Sequence, residues 1–171
     1  MCIVSDASRD GFGACAYLRW AIRNGEYHVR FVAAKSRVAP LKELTIPRLE
    51  LQAAVLTTRL YKTLREESRL EFEKIIFFTD STIVYAWLKS VPRNFKPFVS
   101  ARDSEIQSKC DPNQWRHIPG DSNVADDASR GLHAHELNGR WASGPEFLQH
   151  AESEWPENLS PEPVENKLLE K

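Results

Sequence analysis

The chain reads as an α/β domain built on a five-stranded mixed sheet, three antiparallel strands followed by parallel ones, with helices flanking it. Three observations carry this reading. Short apolar runs alternate with turn signals in the N-terminal part, as in an antiparallel meander. A long segment of helical apolar spacing follows, from Thr45 or Ile46 to about Glu67. Then Lys74 to Thr79 (KIIFFT) is almost continuously apolar, the pattern of a strand buried on both faces and reached by a helical crossover.

Cys2 to Asp6 is the first apolar run, and the cluster Ser8-Arg9-Asp10-Gly11 turns the chain into a second strand, Gly11 to Trp20. Asn24-Gly25 is a two-residue hairpin signal. After it, Tyr27 to Ala34 carries the β-branched and aromatic residues of a third strand. In the first helix Pro47 suits the opening turn, and Leu49, Ala53, Leu56, Leu60 and Leu64 form the buried stripe. Ser81 to Val91 reads as a second helix and Phe98 to Cys110 as a third. Asp111-Pro112-Asn113 breaks the chain before a last strand, Gln114 to Ile118. Asp121-Ser122-Asn123 then caps a helix carrying Asp126 and Asp127. The domain is read as residues 1–132. Residues 133–171 form a C-terminal extension in which Trp141, Phe147, Leu148 and Trp155 pack on the domain, with a partly disordered linker beyond Trp155. The five tryptophans are read as core or tail-packing residues.

At 171 residues, 42% hydrophobic and 27% charged, the composition is that of an ordinary globular domain. The net charge of −1 gives no global footprint of nucleic-acid binding, so any such binding needs a local patch. Lys89, Arg93, Lys96 and Arg102, interleaved with Phe95 and Phe98, are the best candidate, and Lys35, Arg37 and Lys42 a weaker one. Three cysteines without CxxC spacing argue against a disulfide scaffold or a structural zinc site and favour a reducing, intracellular setting. No apolar run approaches the roughly 20 residues that cross a bilayer, so the chain is expected to be soluble.

Four segments place a carboxylate at the edge of an apolar element: Asp6 in VSDAS, Glu50 in IPRLEL, Asp80 in IFFTDS and Asp126 in NVADDA. Gathering like charges raises their pKa values unless a cation neutralises them. Acids without a cysteine or histidine cluster suit hard, oxygen-preferring Mg²⁺ or Mn²⁺, and four of them in this order suggest a two-metal nuclease site.

The blocks SDAS, IPRLEL, FTDS, WRHIPGDSNVADDASRG and RWASGPEFL resemble the ribonuclease H region of BEL/Pao-type LTR retrotransposon polyproteins. The resemblance runs from Val4 to about Pro156 and implies the ribonuclease H-like fold. It also implies cleavage of the RNA strand of RNA/DNA hybrids during reverse transcription, between the reverse transcriptase and integrase regions of one polyprotein. The setting it implies is a cytoplasmic retroelement particle or the nucleus. By position Asp6, Glu50, Asp80 and Asp126 match the family's catalytic, metal-binding acids. Asp6 would bridge two Mg²⁺ about 3.5 to 4 Å apart. Glu50 and Asp80 would complete one ion's shell and Asp126 the other's, with Glu50 also reaching the ribose 2′-hydroxyl. Neighbours on a helix point about 100° apart, so Asp126 is chosen by its spacing from Asn123, and Asp127 faces solvent or supports the site. His117 lies where the resemblance puts a strand rather than the mobile loop of cellular relatives, so it is not assigned a catalytic role. Ser8, Ser81 and Ser129 read as caps or supporting donors, and His133-Ala134-His135 lacks the partners of a metal site. The competing readings are an inactive module that supports a polymerase or binds nucleic acid, and a DNA-cleaving nuclease of the same fold.

Overall fold

A computed structural model describes residues 1–90 and 95–160. Strands β1 (Cys2–Ala7), β2 (Gly11–Ala21) and β3 (Tyr27–Val38) form the antiparallel meander. Helix α1 (Ile46–Glu67) crosses over to β4 (Ile76–Thr79), which pairs parallel with β1. Helices α2 (Thr82–Lys89) and α3 (Pro97–Gln107) lead to β5 (Trp115–His117), parallel to β4. The sheet order is β3-β2-β1-β4-β5, a five-stranded mixed sheet flanked by helices. The short helices α4 (Asp126–Arg130) and α5 (Arg140–Ser143), with several 3-10 turns, complete the described chain. Among the described residues no helix is long and apolar enough to cross a membrane.

The β2–β3 turn has the left-handed backbone its sequence requires, with φ of 86° at Asn24 and 78° at Gly25. β3 continues four residues past Ala34, because Lys35 to Val38 still pair with Ala14 to Gly11 although Lys35, Ser36 and Arg37 are polar. The register also shifts between Ala16 and Tyr17, a bulge that periodicity does not reveal. Helix α1 has the expected bounds, Thr45 preceding it and a proline in its first turn. α3 stops at Gln107, short of Cys110, and β5 has three residues rather than five. Asn123 does not cap α4 from the N-cap position, which is Ala125; its carboxamide oxygen instead accepts from the Ala125 amide.

Alternate strand residues face opposite sides of the sheet. On one side Ile3, Ala14, Ala16, Phe77 and Trp115 meet α1, α2 and α3 through Leu51, Leu60, Trp87, Leu88 and Ile106. Full burial of each such aliphatic side chain contributes about 1.5–3 kcal/mol. On the other side Val4, Cys15, Tyr17 and Phe78 meet Val124, Phe147, Leu148 and Trp155. Trp20 departs from its core assignment, being 43% exposed beside His28. The expected linker beyond Trp155 is still in contact: Arg116 donates to the Pro156 carbonyl, the His117 amide to Asn158 Oδ1 (2.9 Å) and Tyr85 to the Leu159 carbonyl. From residue 161 that expectation lies outside the described residues.

Candidate nuclease site

β1 and β4 run parallel with Ser5 opposite Thr79, so the next residues, Asp6 and Asp80, emerge side by side at the carboxyl edge of the sheet. Open α/β sheets place their ligands at this edge. Glu50, in the second turn of α1, approaches from the side of the long helices, and Asp126 opens α4 on the other side. The structure thus brings the four acids to one end of the sheet, and they act on one another electrostatically. Asp6, 8% exposed, is pushed up to about 6, chiefly by burial; a hydrogen bond from Ser129 opposes this, and the charges of Asp80 and Asp126 add to it. Burial also raises Glu50, against a hydrogen bond from Ser81 and with the charges of Asp80 and Asp6 adding. Burial raises Asp80 as well, against hydrogen bonding from the Asn123 side chain.

Each carboxylate has a protein partner. Ser129 Oγ donates to Asp6 Oδ2. Ser81 caps α2 by accepting from the Val84 amide, and its hydroxyl donates to Glu50 Oε2 at 2.5 Å. Arg130 Nε donates to Asp126 Oδ1 at 2.5 Å. Among the described residues no three His, Cys, Asp or Glu side chains are gathered closely enough to enclose an ion in this conformation. As a donor set the acids nonetheless fit a hard divalent cation. They supply only oxygen, and the burial and mutual repulsion that raise three of them are what a bound cation offsets.

Asn123 ties the site together: it is fully buried, and its Nδ2 donates to the Ser5 carbonyl beside Asp6. His117 is half-buried with Nε2 3.0 Å from the Asp80 carbonyl oxygen. A carbonyl only accepts, so this nitrogen carries the proton, and the ring braces the backbone at Asp80. Asp127 does not face solvent: its side chain, 12% exposed, is held in an ion pair with Arg140.

The candidate hybrid-binding residues are less uniform. Lys89 is half-buried, its Nζ donating to the Pro112 carbonyl at 2.7 Å and lying over the Tyr85 ring; burial lowers its pKa. Arg102 lies 3.4 Å over the Phe98 ring and donates to the Phe98 carbonyl. Lys96 is exposed at the N-cap of α3. Arg93 lies outside the described residues. Three partners of the site escape sequence reasoning. Arg130, four residues after Asp126, was accessible from helical spacing, and Gly13 within a strand is a standard hint of close backbone approach. Arg140 offers no local signal.

Residues 1–81 match the family model of the Pao retrotransposon-like RNaseH-like domain. Over these residues, just under half of the chain, the sequence is similar to that family. The Pao-type match spans β1 to the start of α2 and so includes Asp6, Glu50 and Asp80, while Asp126 lies beyond it. The fold is similar to that of RNase H1 from the halophilic archaeon Halobacterium salinarum NRC-1, with 15% identity, a TM-score of 0.50, and 75% of this chain and 91% of that one covered. It is also similar to LC11-RNase H1, whose structure is of a complex with an RNA/DNA hybrid: 17% identity, TM-score 0.53, 74% and 91% covered. At these identities the likeness is one of fold. Nothing among curated proteins matches the chain.

Proposed function

We propose that this Pao-type domain is a divalent-metal-dependent endonuclease that hydrolyses the RNA strand of RNA/DNA hybrids. The observation that carries the reading is the convergence of four carboxylates from β1, α1, β4 and α4 on one sheet edge, three of them raised by burial and by one another. The structural likeness to LC11-RNase H1, which binds such a hybrid, supports the substrate class.

Asp6, Glu50, Asp80 and Asp126 would hold two Mg²⁺, or Mn²⁺. Bound there, the metal supplies a water of lowered pKa and neutralises charge on the leaving 3′ oxygen. The chain's own contribution is positional. Asp6 would be among the ligands, held from below by the strand pairing and by Asn123 on the Ser5 carbonyl. Glu50 is aimed by Ser81, and Asp80 is braced by His117 through its carbonyl. Lys96 and Arg102, with Lys89 and Arg93 on the same stretch, would grip the hybrid's phosphates. Reverse transcriptase and integrase regions of the same polyprotein are the expected neighbours.

The test is cleavage of a strand-labelled RNA/DNA hybrid by the chain and by Asp80→Asn, in Mg²⁺, in Mn²⁺ and in chelator. Metal-dependent cutting of the RNA strand alone, lost in the variant, is the expected result. Cutting of the DNA strand would sink the substrate assignment, and no cutting by folded protein in either metal would make the domain a non-catalytic module.

A further inference from the structure

Helix α4 has five residues and no side-chain cap, so its own hydrogen bonds do little to fix it. Yet the proposed function requires it to present Asp126 rather than Asp127. Besides the Ser8 hydroxyl, which donates to the Ser129 carbonyl at 2.9 Å, two side-chain contacts bear on its rotation. Asp126 and Ser129, three residues apart, share one face, and the Ser129 hydroxyl donates to Asp6. Asp127 lies about 100° around the axis. Its side chain, only 12% exposed, takes two bonds from one guanidinium: Arg140 Nη2 to Oδ1 at 2.6 Å and Nε to Oδ2 at 3.0 Å. A two-pronged arginine–carboxylate pair fixes orientation as well as distance. Arg140 in turn starts α5, which is moored to the sheet. Tyr17 donates to the Trp141 carbonyl at 2.9 Å, and the Trp141 ring packs 5.2 Å from that of Phe31. Gly144, at φ 75°, sits so close that a Cβ there would lie 3.0 Å from Tyr17 and 3.1 Å from Val29.

We propose that Arg140 is a positioning residue of the site: gripping Asp127 from an arm anchored on β2 and β3, it sets α4 so that Asp126 stands beside Asp6 and Asp80. The proposal rests on the metal-dependent reading above. It carries the site beyond residue 81, where the family match ends, into the C-terminal extension.

Charge alone would act in the opposite direction, which makes the proposal testable. Arg140 Nη2 also lies 3.9 Å from Asp126 Oδ2. As a mere positive charge it would repel a cation, and its removal would tighten metal binding. As a positioner its removal loosens binding, and Arg140→Lys, which keeps the charge but loses the fork, loosens it too. Mn²⁺ binding is measured by calorimetry on the full chain and on Arg140→Ala and Arg140→Lys. Amide hydrogen exchange on the same metal-free proteins reports α4 through the Ser129 and Gly131 amides, which bond to the Ala125 and Asp127 carbonyls.

The expected result is Mn²⁺ affinity lowered about tenfold in both variants, the size of effect that partners of metal ligands produce. Exchange would be faster at Ser129 and Gly131 and unchanged in β1 and β4. Tighter binding in Arg140→Ala with Arg140→Lys unchanged would overturn the proposal, as would α4 exchange unaltered in both. Should the unmodified chain take up no Mn²⁺, the metal reading of the site falls, and the exchange data alone decide whether Arg140 fixes α4.

Discussion

On one side of the sheet, the regular helices α1, α2 and α3 pack over Ile3, Ala16, Phe77 and Trp115; on the other, two helices of four or five residues and a run of 3-10 turns cover Val4, Cys15 and Phe78 with Phe147, Leu148 and Trp155. Both faces are fully dry at their centres, since Phe77 and Phe78 are each 0% exposed. They differ in what their cover satisfies. Among the described residues, the buried polar side-chain atoms without a partner, Trp87 Nε1, Arg102 Nε and Asp103 Oδ1, all belong to α2 and α3, on the regular side. The irregular side answers its polar groups one by one, Arg19 donating to the Leu148 and His150 carbonyls and Trp155 Nε1 to His150. Regular helices bury area efficiently, whereas turns leave carbonyls free to meet side chains.

The largest expected effect comes from removing the irregular cover. In a chain ending at Leu132, the boundary the sequence suggests for the catalytic domain, Val4, Tyr17 and Phe78 lose Phe147, Leu148 and Trp155. Losing one such residue to alanine costs about 2–5 kcal/mol, and a whole domain of this kind is stable by only about 5–15 kcal/mol. We expect the full chain to unfold in one cooperative thermal transition and residues 1–132 to lose it. A sharp transition at an unchanged midpoint in the truncated chain would mean that the second face is an ornament of the fold and not part of its core.

This contrast also explains what was legible in advance. Helix α1 was read to its observed bounds because one stripe of leucines and alanines repeats over 22 residues with a proline at its start. β4 stands out because burial on both faces leaves Thr79 as the only polar position in its run. The four acids each lie near one end of an element: Asp6 near the end of β1, Glu50 in the second turn of α1, Asp80 just past β4 and Asp126 at the start of α4. The irregular cover was not, because a 3-10 turn of three or four residues holds too few apolar positions to show a period; single residues such as Trp155 and Phe147 were nameable, but not their partners. Arg140 and Asp127 are thirteen residues apart across a turn, and only the mooring of α5 on the sheet brings them together.

The regular face has its own weakness in Asp103, fully buried on α3. Its Oδ2 accepts from Gln107 while Oδ1 has no partner, and burial pushes it up to about 6. The folded chain therefore holds this proton more tightly than the unfolded chain does. Stability falls as pH rises from about 4 through about 6 and is level above, by roughly 3 kcal/mol for a shift of this size. Asp6 is pushed up to about 6 as well, and burial also raises Glu50 and Asp80, so the raw curve mixes several groups, and the difference between the chain and Asp103→Asn isolates Asp103. In urea unfolding the variant should be the more stable at pH 7, by up to roughly 3 kcal/mol, with the gap closing towards pH 4. Parallel curves across that range would show that the regular face tolerates the buried charge without cost.

The smallest expected effect tests how tightly the irregular cover fits at the site. Gly13 pairs with Asp6 across β1 and β2. A Cβ on it would lie 2.6 Å from the Ala128 Cβ of α4 and 3.3 Å from that residue's carbonyl carbon. Neither is the end of a flexible chain, so Gly13→Ala must push α4 off the strand, at about 1–3 kcal/mol for an overpacked contact. Because α4 carries Asp126 and Ser129, hybrid cleavage should fall by more than the stability loss explains. Removing the opposing methyl with Ala128→Gly in the same chain relieves the closest contact but leaves the backbone one. The double variant should therefore recover part of the loss, with a coupling of about 0.5–3 kcal/mol in the mutant cycle. If the two changes are simply additive, α4 does not rest on Gly13, and what fixes it is left to the bonds made by Ser8, Ser129 and Arg140.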